Sequence, residues 1–318
     1  MTNSSALSSI FGAVVSTRNK LYDRGVISQH RLRGPVLSVG NIAVGGAGKT
    51  PFVIMLGGLL KQQHVRFDVL SRGYGRKSRG VYQVDPDGTA AQYGDEPLLI
   101  SRKLGVPVIV GESRFDAGLY ADQHFGAQLH ILDDGFQHRQ LARDYDVVLV
   151  TPADATDKLL PKGRLREPVA ALRRADAVVL TPGTSRDGLP LQDKLVLQIE
   201  RGIAPSNVPP RPIAFCGIAR PENFFTQLRE AGIDIAAEMR FRDHHSYSAA
   251  DVTTLIEAAN AHRAGGFVTT DKDAINLGSL ADGLQPLSIV PATMHLLNAE
   301  RAVAQILARI AERYRPPA

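Results

Sequence analysis

The chain has 318 residues, of which 44% are hydrophobic and 22% are charged, a composition ordinary for a soluble globular protein of one or two domains. The single cysteine, Cys216, excludes an internal disulfide framework, and no Cys/His cluster has the spacing of a zinc site, so the cytosol is the expected compartment. No run of about 18 apolar residues is present, which excludes a membrane-spanning helix.

The formal charge of +5 is concentrated near the amino terminus. Residues 1–35 hold five basic side chains and one acidic side chain, whereas the remainder is almost neutral. A basic arm on a balanced body indicates a polyanionic neighbour, either a membrane leaflet or nucleic acid.

The first predicted element is an amphipathic helix. Its apolar residues recur at helical spacing: Leu7, Ile10, Phe11, Val14, Leu21 and Tyr22. The apolar part is too short for a signal peptide, and its charges follow it instead of preceding it. Two interpretations remain, a helix lying in a membrane interface and a helix packed on its own domain; the pattern alone favours the second.

From Val36 onward, short apolar strands alternate with helices, which predicts an α/β fold: a phosphate-loop NTPase-type parallel sheet with helices on both faces, plus a second, smaller α/β lobe. The Gly/Pro-rich stretch after residue 185 reads as a linker. The predicted organisation is a membrane-interface segment at 1–35, a nucleotide-binding core at 36–185, a linker at 186–210 and a carboxyl-terminal α/β lobe at 211–318. The second lobe includes a helix with a capping box from Ser248 to Asp251.

The stretch AVGGAGKT fits a phosphate-binding loop between a strand and a helix. Its glycines let backbone N–H groups turn inward around phosphate oxygens. Lys49 is predicted to neutralise the β- and γ-phosphates, and the hydroxyl of Thr50 to bind Mg²⁺. The predicted nucleotide contacts are Ala43, Val44, Gly45, Gly46, Ala47, Gly48, Lys49 and Thr50.

Asp133 and Asp134 end the predicted strand LHILDD, where a phosphate-loop protein needs an acid to hold its metal. Alone, such acids are more often helix caps or turns. The GTPase class is disfavoured because TTDKDA has Ala274 where a base-reading Asp is expected, and the partitioning ATPases are disfavoured because Val44 replaces their loop lysine.

Eight blocks in order together resemble the tetraacyldisaccharide 4′-kinase family of lipid A biosynthesis: GNIAVGGAGKTP, SRGYGR, YGDEP, LDDGFQHR, LREP, FCGIARPENF, FRDHHSY and TTDKDA. The resemblance implies transfer of the ATP γ-phosphate, with Mg²⁺, to the 4′-hydroxyl of tetraacyldisaccharide 1-phosphate, giving lipid IVA. It also implies a two-lobed fold and a peripheral seat on the cytoplasmic face of the bacterial inner membrane. The partner is then a lipid at an anionic surface, with no nucleic acid and no obligate protein partner, and the interfacial interpretation of the first helix becomes the favoured one.

The resemblance also implies roles for individual residues. A sugar hydroxyl needs a carboxylate to accept its proton, and Asp95 of YGDEP matches the family's catalytic base. From its context alone, Asp95 is equally a helix N-cap, with Pro97 in the first turn. Glu96 is a candidate metal ligand. Of Asp133 and Asp134, one is expected to bind Mg²⁺ and the other to orient the base. His244 matches the family histidine, with His245 as the alternative.

Weaker candidates for contacts with the lipid head group lie on predicted loops. They are Arg72, Tyr74, Arg76, Arg114, Gln137, His138 and Glu167. One departure from the family pattern is Asp271, which stands where the family usually has Glu and so reaches less far. Two alternatives stay open: a phosphate-loop kinase of a soluble sugar or small alcohol, and a nucleotide-switched protein that binds membrane or nucleic acid.

Overall fold

The structure, a computed structural model, describes the backbone of residues 2–316 and the side chains from residue 6; Met1 and residues 317–318 lie outside it. The helices are α1 (Thr2–Asp23), α2 (Lys49–Gln62), α3 (Ala90–Tyr93), α4 (Asp95–Leu104), α5 (Arg114–His124), α6 (Pro221–Glu230), α7 (Ala249–His262), α8 (Asp271–Leu277) and α9 (Ala299–Arg313). Short 3-10 turns occupy Pro152–Ala155, Val169–Arg174 and Gly278–Gly283.

The strands form two sheets. They are β1 (Val36–Asn41), β2 (Phe67–Ser71), β3 (Tyr82–Gln83), β4 (Val108–Val110), β5 (Leu129–Asp133), β6 (Tyr145–Val150), β7 (Ala177–Leu180), β8 (Leu195–Ile203), β9 (Ile213–Cys216), β10 (Ala237–Arg240), β11 (Phe267–Thr270), β12 (Leu287–Val290) and β13 (Ala292–Leu296). The large sheet has the order β13-β8-β7-β6-β1-β5-β2-β4-β3, and the small sheet has the order β10-β9-β11-β12.

The large sheet is parallel except at its two edges, where β3 pairs with β4 and β13 with β8 in antiparallel fashion. Successive residues of its central strands point to opposite faces and join different cores: Leu37 and Ile131 pack under α2, α4 and α9, whereas Val36 and Leu132 pack under α5. The prediction of a mainly parallel sheet covered on both faces is therefore confirmed.

The small sheet is wholly parallel and is also covered on both faces. Phe215 of β9 packs toward Leu255 of α7, and its neighbour Cys216 packs toward Phe224 of α6. The capping box predicted at Ser248 and Asp251 opens α7.

The predicted linker differs from the structure. Its residues 195–203 form β8, which pairs with β7 and β13 inside the large sheet. Its alternation of apolar and polar residues is typical of a strand near a sheet edge, but Gly- and Pro-rich flanks hide it. The predicted second lobe differs as well, because β13 and α9 return to the large sheet and bury Val303, Ile306 and Ile310 there.

One buried ion network crosses the large sheet. His130 of β5 lies between Asp68 of β2 and Asp122 of α5, with 2.8 Å from Nδ1 to an Asp68 oxygen and 3.1 Å from Nε2 to an Asp122 oxygen. Asp122 also accepts a hydrogen bond from the backbone N–H of Arg33, at 3.0 Å. The network therefore ties the segment after α1 to the sheet.

Candidate active site

The stretch 43–50 forms the turn from β1 into α2. Gly45, Gly46 and Gly48 adopt positive φ values of 75°, 50° and 82°, which glycine reaches without a Cβ penalty. The backbone N–H of Val44 donates to the Arg164 carbonyl at 2.8 Å, which anchors the start of the loop to the residue just before the LREP block. The loop thus stands at the N-terminus of a 14-residue helix, where N–H groups and the helix dipole favour an anion.

Lys49 is held inside this loop by polar groups from neighbouring strands. Its ammonium lies 3.2 Å from Asn41 Oδ1 and 3.4 Å from Asp134 Oδ1. The Arg166 guanidinium donates to both carboxylate oxygens of Asp134, from Nη1 to Oδ2 at 2.9 Å and from Nη2 to Oδ1 at 2.8 Å. Burial would raise the pKa of Asp134, but the charges of Lys49 and Arg166 hold it well below its usual range.

Asp133 has the opposite environment. Its Oδ2 accepts from Ser71 Oγ at 3.3 Å, and its Oδ1 is buried with no hydrogen-bond partner. Burial, together with the charges of Glu96 and Asp134, raises the pKa of Asp133 to about 7. A buried carboxylate oxygen with no donor beside it among the described residues is a place where a bound cation fits.

The described residues contain no ready cluster of three acidic, His or Cys side chains arranged to hold a metal. Mg²⁺ does not require one, since it is usually bound by one or two carboxylates, phosphate oxygens and water. The oxygen donors that stand here, the buried Asp133 carboxylate and the buried Thr50 hydroxyl at the start of α2, fit that mode.

Asp95 and His244 meet between the two sheets. Asp95 is buried at the first residue of α4, and its Oδ2 lies 2.8 Å from His244 Nδ1. The N-cap of α4 is Gly94, so the interpretation of Asp95 as a cap is wrong. Burial would raise the pKa of Asp95, but the hydrogen bond with His244 and the charge of Lys272 lower it to about 2. The hydrogen bond to Asp95 raises the pKa of His244.

His245 faces away from this pair. Its Nε2 lies 3.2 Å from Asp251, and its ring stacks on Phe241 at 4.8 Å between centroids. The backbone between the two histidines turns sharply, because His244 has a φ of 56°. Of the two candidates, His244 is therefore the one placed beside Asp95.

Two residues of α8 also reach Asp95, and we did not assign them from the sequence. Lys272 Nζ lies 3.6 Å from Asp95 Oδ2, and Asn276 Nδ2 donates to the same oxygen at 3.3 Å. Lys272 belongs to TTDKDA and Asn276 follows it; in that block the sequence analysis used only Ala274 and Asp271. Asp271 itself pairs with Lys103 of α4 at 3.4 Å.

Two arginines beside the phosphate loop also escaped the sequence analysis. Arg201 of β8 donates to the Ala47 carbonyl and leaves a buried Nε without a partner. Arg220, just before α6, lies against Gly46 and donates to Thr151 Oγ1 at 3.4 Å. Neither has a carboxylate within ion-pair distance in the described part of the chain. Burial and the charge of Arg220 lower the pKa of Arg201 to about 10, so this corner of the site carries excess positive charge.

A second cationic group surrounds His138. Burial and the nearby charges of Arg114, Arg143, Arg18 and Arg72 lower the pKa of His138 to about 4. Arg114 is 7% exposed, donates only to the Glu112 carbonyl at 3.1 Å, and has a buried Nε with no partner. Arg143 is paired with Asp146 at 3.0 Å, but Arg18, Arg72 and Arg114 have no carboxylate within ion-pair distance among the described residues. Guanidinium groups without such a partner form a site for an anion.

The remaining predicted head-group residues have structural partners. Glu167 is 2% exposed and accepts hydrogen bonds from Asn19 of α1, from Gln137 at 3.0 Å and from Arg174 at 2.8 Å. Arg76 pairs with Glu112 at 2.8 Å and folds back on its own loop. Tyr74, by contrast, is 63% exposed, with its ring 5.2 Å from that of His244.

Helix α1 joins this region through its second half; in its first half, Ser8 donates to the Leu159 carbonyl at 3.0 Å and another face stays uncovered. Tyr22 is buried and lies under the Arg139 guanidinium, whereas Leu7, Ile10 and Val14 are 53%, 60% and 62% exposed. These three side chains follow one face of the helix. Within residues 2–316, no helix is both long and apolar enough to cross a bilayer.

Comparisons with known proteins agree on one family. A family model described as "Tetraacyldisaccharide-1-P 4′-kinase" matches residues 4–311. A tetraacyldisaccharide 4′-kinase of Koribacter versatilis is 50% identical over 317 residues, covering 96% of this chain and 98% of the relative. One of Geobacter metallireducens is 35% identical over 327 residues, covering 95% and 96%. The solved structure of LpxK from Aquifex aeolicus in complex with ATP has a TM-score of 0.79 and 34% identity, covering 97% of this chain and 98% of that one.

Proposed function

Because the chain belongs to the tetraacyldisaccharide-1-P 4′-kinase family, we propose a division of its reaction among the side chains described above. The protein is an ATP- and Mg²⁺-dependent phosphotransferase of lipid A biosynthesis that phosphorylates the 4′-hydroxyl of tetraacyldisaccharide 1-phosphate. The observation that carries the proposed mechanism is the Asp95–His244 contact, which brings an ionised carboxylate between the two sheets beside the phosphate loop.

The nucleotide is held by the loop at 43–50. Its inward N–H groups and the N-terminus of α2 receive the phosphates, and Lys49 exchanges its contact with Asp134 for the β- and γ-phosphates. Arg201 and Arg220 add positive charge that has no carboxylate partner among the described residues. The triphosphate supplies the anion that these two guanidinium groups lack.

Thr50 and Asp133 would hold Mg²⁺. The charge of Glu96 acts on Asp133 and raises its pKa, so Glu96 is near enough to contribute to the same site. When bound, the ion supplies positive charge that offsets the charge growing on the transferred phosphate. Before the nucleotide binds, Asp134 holds Lys49 and Arg166 in place, since its own contacts are with these two cations and not with Asp95.

Asp95 accepts the proton of the 4′-hydroxyl as that oxygen attacks the γ-phosphate. A pKa of about 2 keeps Asp95 ionised at neutral pH, so the base is ready before the acceptor arrives. His244 donates a hydrogen bond from its Nδ1–H to Asp95 Oδ2 and so fixes the carboxylate plane. The same hydrogen bond raises the pKa of His244.

The acceptor binds next to this base. Arg72, Arg114 and His138 line the cationic cluster, whose charge fits the 1-phosphate of the lipid. Tyr74, exposed beside His244, offers a flat face to a sugar ring. Glu167 and Gln137 act indirectly, because their hydrogen bonds hold α1 against the loop that follows β5.

The exposed stripe Leu7, Ile10 and Val14 seats the protein on the membrane. A four-chained lipid stays in the bilayer, so the enzyme must meet it at the surface. The stripe buries in the headgroup region while Arg18, Lys20 and Arg24 meet anionic lipid. The stripe and the basic residues beside it support a peripheral position of the protein on the cytoplasmic face of the bacterial inner membrane.

The test is transfer of labelled γ-phosphate from ATP to tetraacyldisaccharide 1-phosphate in mixed micelles. Asp95→Asn keeps the shape of the side chain but cannot accept a proton, so kcat should fall by about 10²–10⁴-fold with little change in ATP affinity. Asp193→Asn, at an exposed position before β8 on the opposite edge of the sheet, is the matched control. Equal activity of the two variants would refute the role of Asp95, and transfer to soluble sugars alone would favour the soluble-substrate alternative.

A further inference from the structure

The two oxygens of Asp95 have different surroundings. Oδ2 has three donors around it: His244 Nδ1 at 2.8 Å, Asn276 Nδ2 at 3.3 Å and Lys272 Nζ at 3.6 Å. Oδ1 accepts only the backbone N–H of Glu96, at 2.9 Å. A carboxylate oxygen offers about two lone-pair directions, so Oδ2 is fully used and Oδ1 has one free.

Two of the three donors come from one face of α8. Lys272 and Asn276 are four residues apart, one helical turn, and α8 follows β11 of the small sheet. Asp95 begins α4, which packs on the large sheet. The contact therefore joins elements of the two sheets at the base itself.

Lys272 is the centre of a small charge network. Its side chain is 17% exposed, and its ammonium lies 3.2 Å from Asp243, 3.9 Å from Glu96 and 3.4 Å from His244 Nε2. A partly buried ammonium needs such partners to offset lost hydration. No step of the mechanism above uses Lys272, although it touches every charged group around Asp95.

We propose that Lys272, with Asn276, is a positioning residue that holds Oδ2 of Asp95 and thereby leaves Oδ1 to receive the proton of the acceptor hydroxyl. This inference rests on the proposed role of Asp95 as the base. The proton moves from the hydroxyl to Oδ1 as the new oxygen–phosphorus bond forms and the bond between the γ-phosphorus and the β–γ bridging oxygen breaks, so that ADP leaves and the carboxyl group becomes neutral. Lys272 remains charged on the Oδ2 side.

The experiment measures kcat and the KM for ATP for lipid phosphorylation at one pH. Lys272→Met should lower kcat about tenfold with little change in KM, and Lys272→Arg, which keeps the cation, should restore most of kcat. Lys103→Met is the matched control: it breaks the ion pair with Asp271 at the same helix contact without touching Asp95. It should keep the wild-type kcat.

Asn276→Asp provides a second, nearly isosteric variant should Lys272→Met fail to fold, as judged by ATP binding. A carboxylate beside Oδ2 replaces a donor with a like charge and should also lower kcat. If both variants keep the wild-type kcat, or if Lys103→Met lowers it equally, the inference is overturned. Asp95→Asn, assayed in parallel, separates the cases: an inactive Asp95→Asn with an unchanged kcat in the α8 variants rejects only the role of Lys272, whereas an active Asp95→Asn rejects the base itself.

Discussion

Protonation of His130 should set the pH dependence of the stability of the large sheet. The ring is fully buried between Asp68 and Asp122. Burial opposes the charged form, but the hydrogen bonds and charges of Asp122 and Asp68 outweigh it and raise the pKa of His130 from 6.5 to about 9. The folded protein therefore binds a proton that the unfolded chain releases near neutral pH.

The size and the sign of the contribution of His130 to the free energy of unfolding follow from the difference between its folded and unfolded pKa values. A tenfold change in a protonation equilibrium is about 1.4 kcal/mol, so the step from 6.5 to about 9 corresponds to about 3 kcal/mol. Because the folded pKa is the higher one, this stabilisation is complete below about pH 6.5 and is lost as the pH rises through about 9. Most of the loss should occur above neutrality.

His130→Gln removes the titration while keeping one donor for a carboxylate. The free energy of unfolding, measured by urea with far-UV circular dichroism because the chain has no Trp, is compared for both proteins across that pH range. The advantage of the wild type over His130→Gln should shrink by about 3 kcal/mol between pH 6 and pH 9.5. Taking the difference cancels other groups that titrate there, such as Asp133.

His124→Gln is the matched control, since His124 lies exposed on the same helix as Asp122. Its difference from the wild type should show no comparable loss at high pH. A pH-independent difference for His130→Gln would show that the buried ring is neutral in the folded protein and that the network is held by hydrogen bonds alone.

Three further predictions concern catalysis and the membrane. Lys49→Ala should lower phosphate transfer by about 10²–10³-fold or more, because it removes charge from the phosphates; transfer near the wild-type rate would contradict the use of the loop proposed here. Arg201→Gln should weaken ATP binding by about tenfold, ADP less and adenosine not at all, as measured by calorimetry; an equal loss for adenosine would instead indicate a structural role. Ile10→Ser combined with Val14→Ser should weaken binding to anionic vesicles in flotation assays and leave ATP binding intact, and unchanged flotation would refute the interfacial role of α1.

Much of the fold could be predicted because most of its strands have a strong local pattern of apolar residues. Runs such as VLSVGN and YDVVLV are continuous apolar strands, and both are fully buried. β8 was hidden because LVLQIERGI alternates near an edge, and the two-residue β3 has no pattern at all. The return of β13 and α9 to the large sheet is a matter of topology, which no local pattern encodes.

Some residues of the candidate site could also be predicted from local sequence, and others could not. The phosphate loop has a spacing set by its chemistry, so Gly45 to Thr50 could be located from the sequence. Arg201, Lys272 and Asn276 could not, because a charged residue near a loop has the same appearance whether it meets solvent or another sheet. Their roles depend on contacts between residues more than 150 positions apart, such as Asn276 with Asp95.

The pairing of β8 with β13 also defines how the small sheet is connected. Ile203, the last residue of β8, stands directly opposite Ala292, the first of β13, so the chain leaves the large sheet and returns to it at neighbouring points. Residues 204–291 are thus an insertion whose two ends meet, and a short hairpin turn could replace them without breaking the register of the sheet. Such a protein would keep its phosphate loop but lose His244, Lys272 and Arg220, whereas simple truncation after residue 203 would strip α9 from the core. The nucleotide-binding domain is therefore the part into which residues 204–291 are inserted, and the inserted segment supplies the residues that complete the proposed catalytic base.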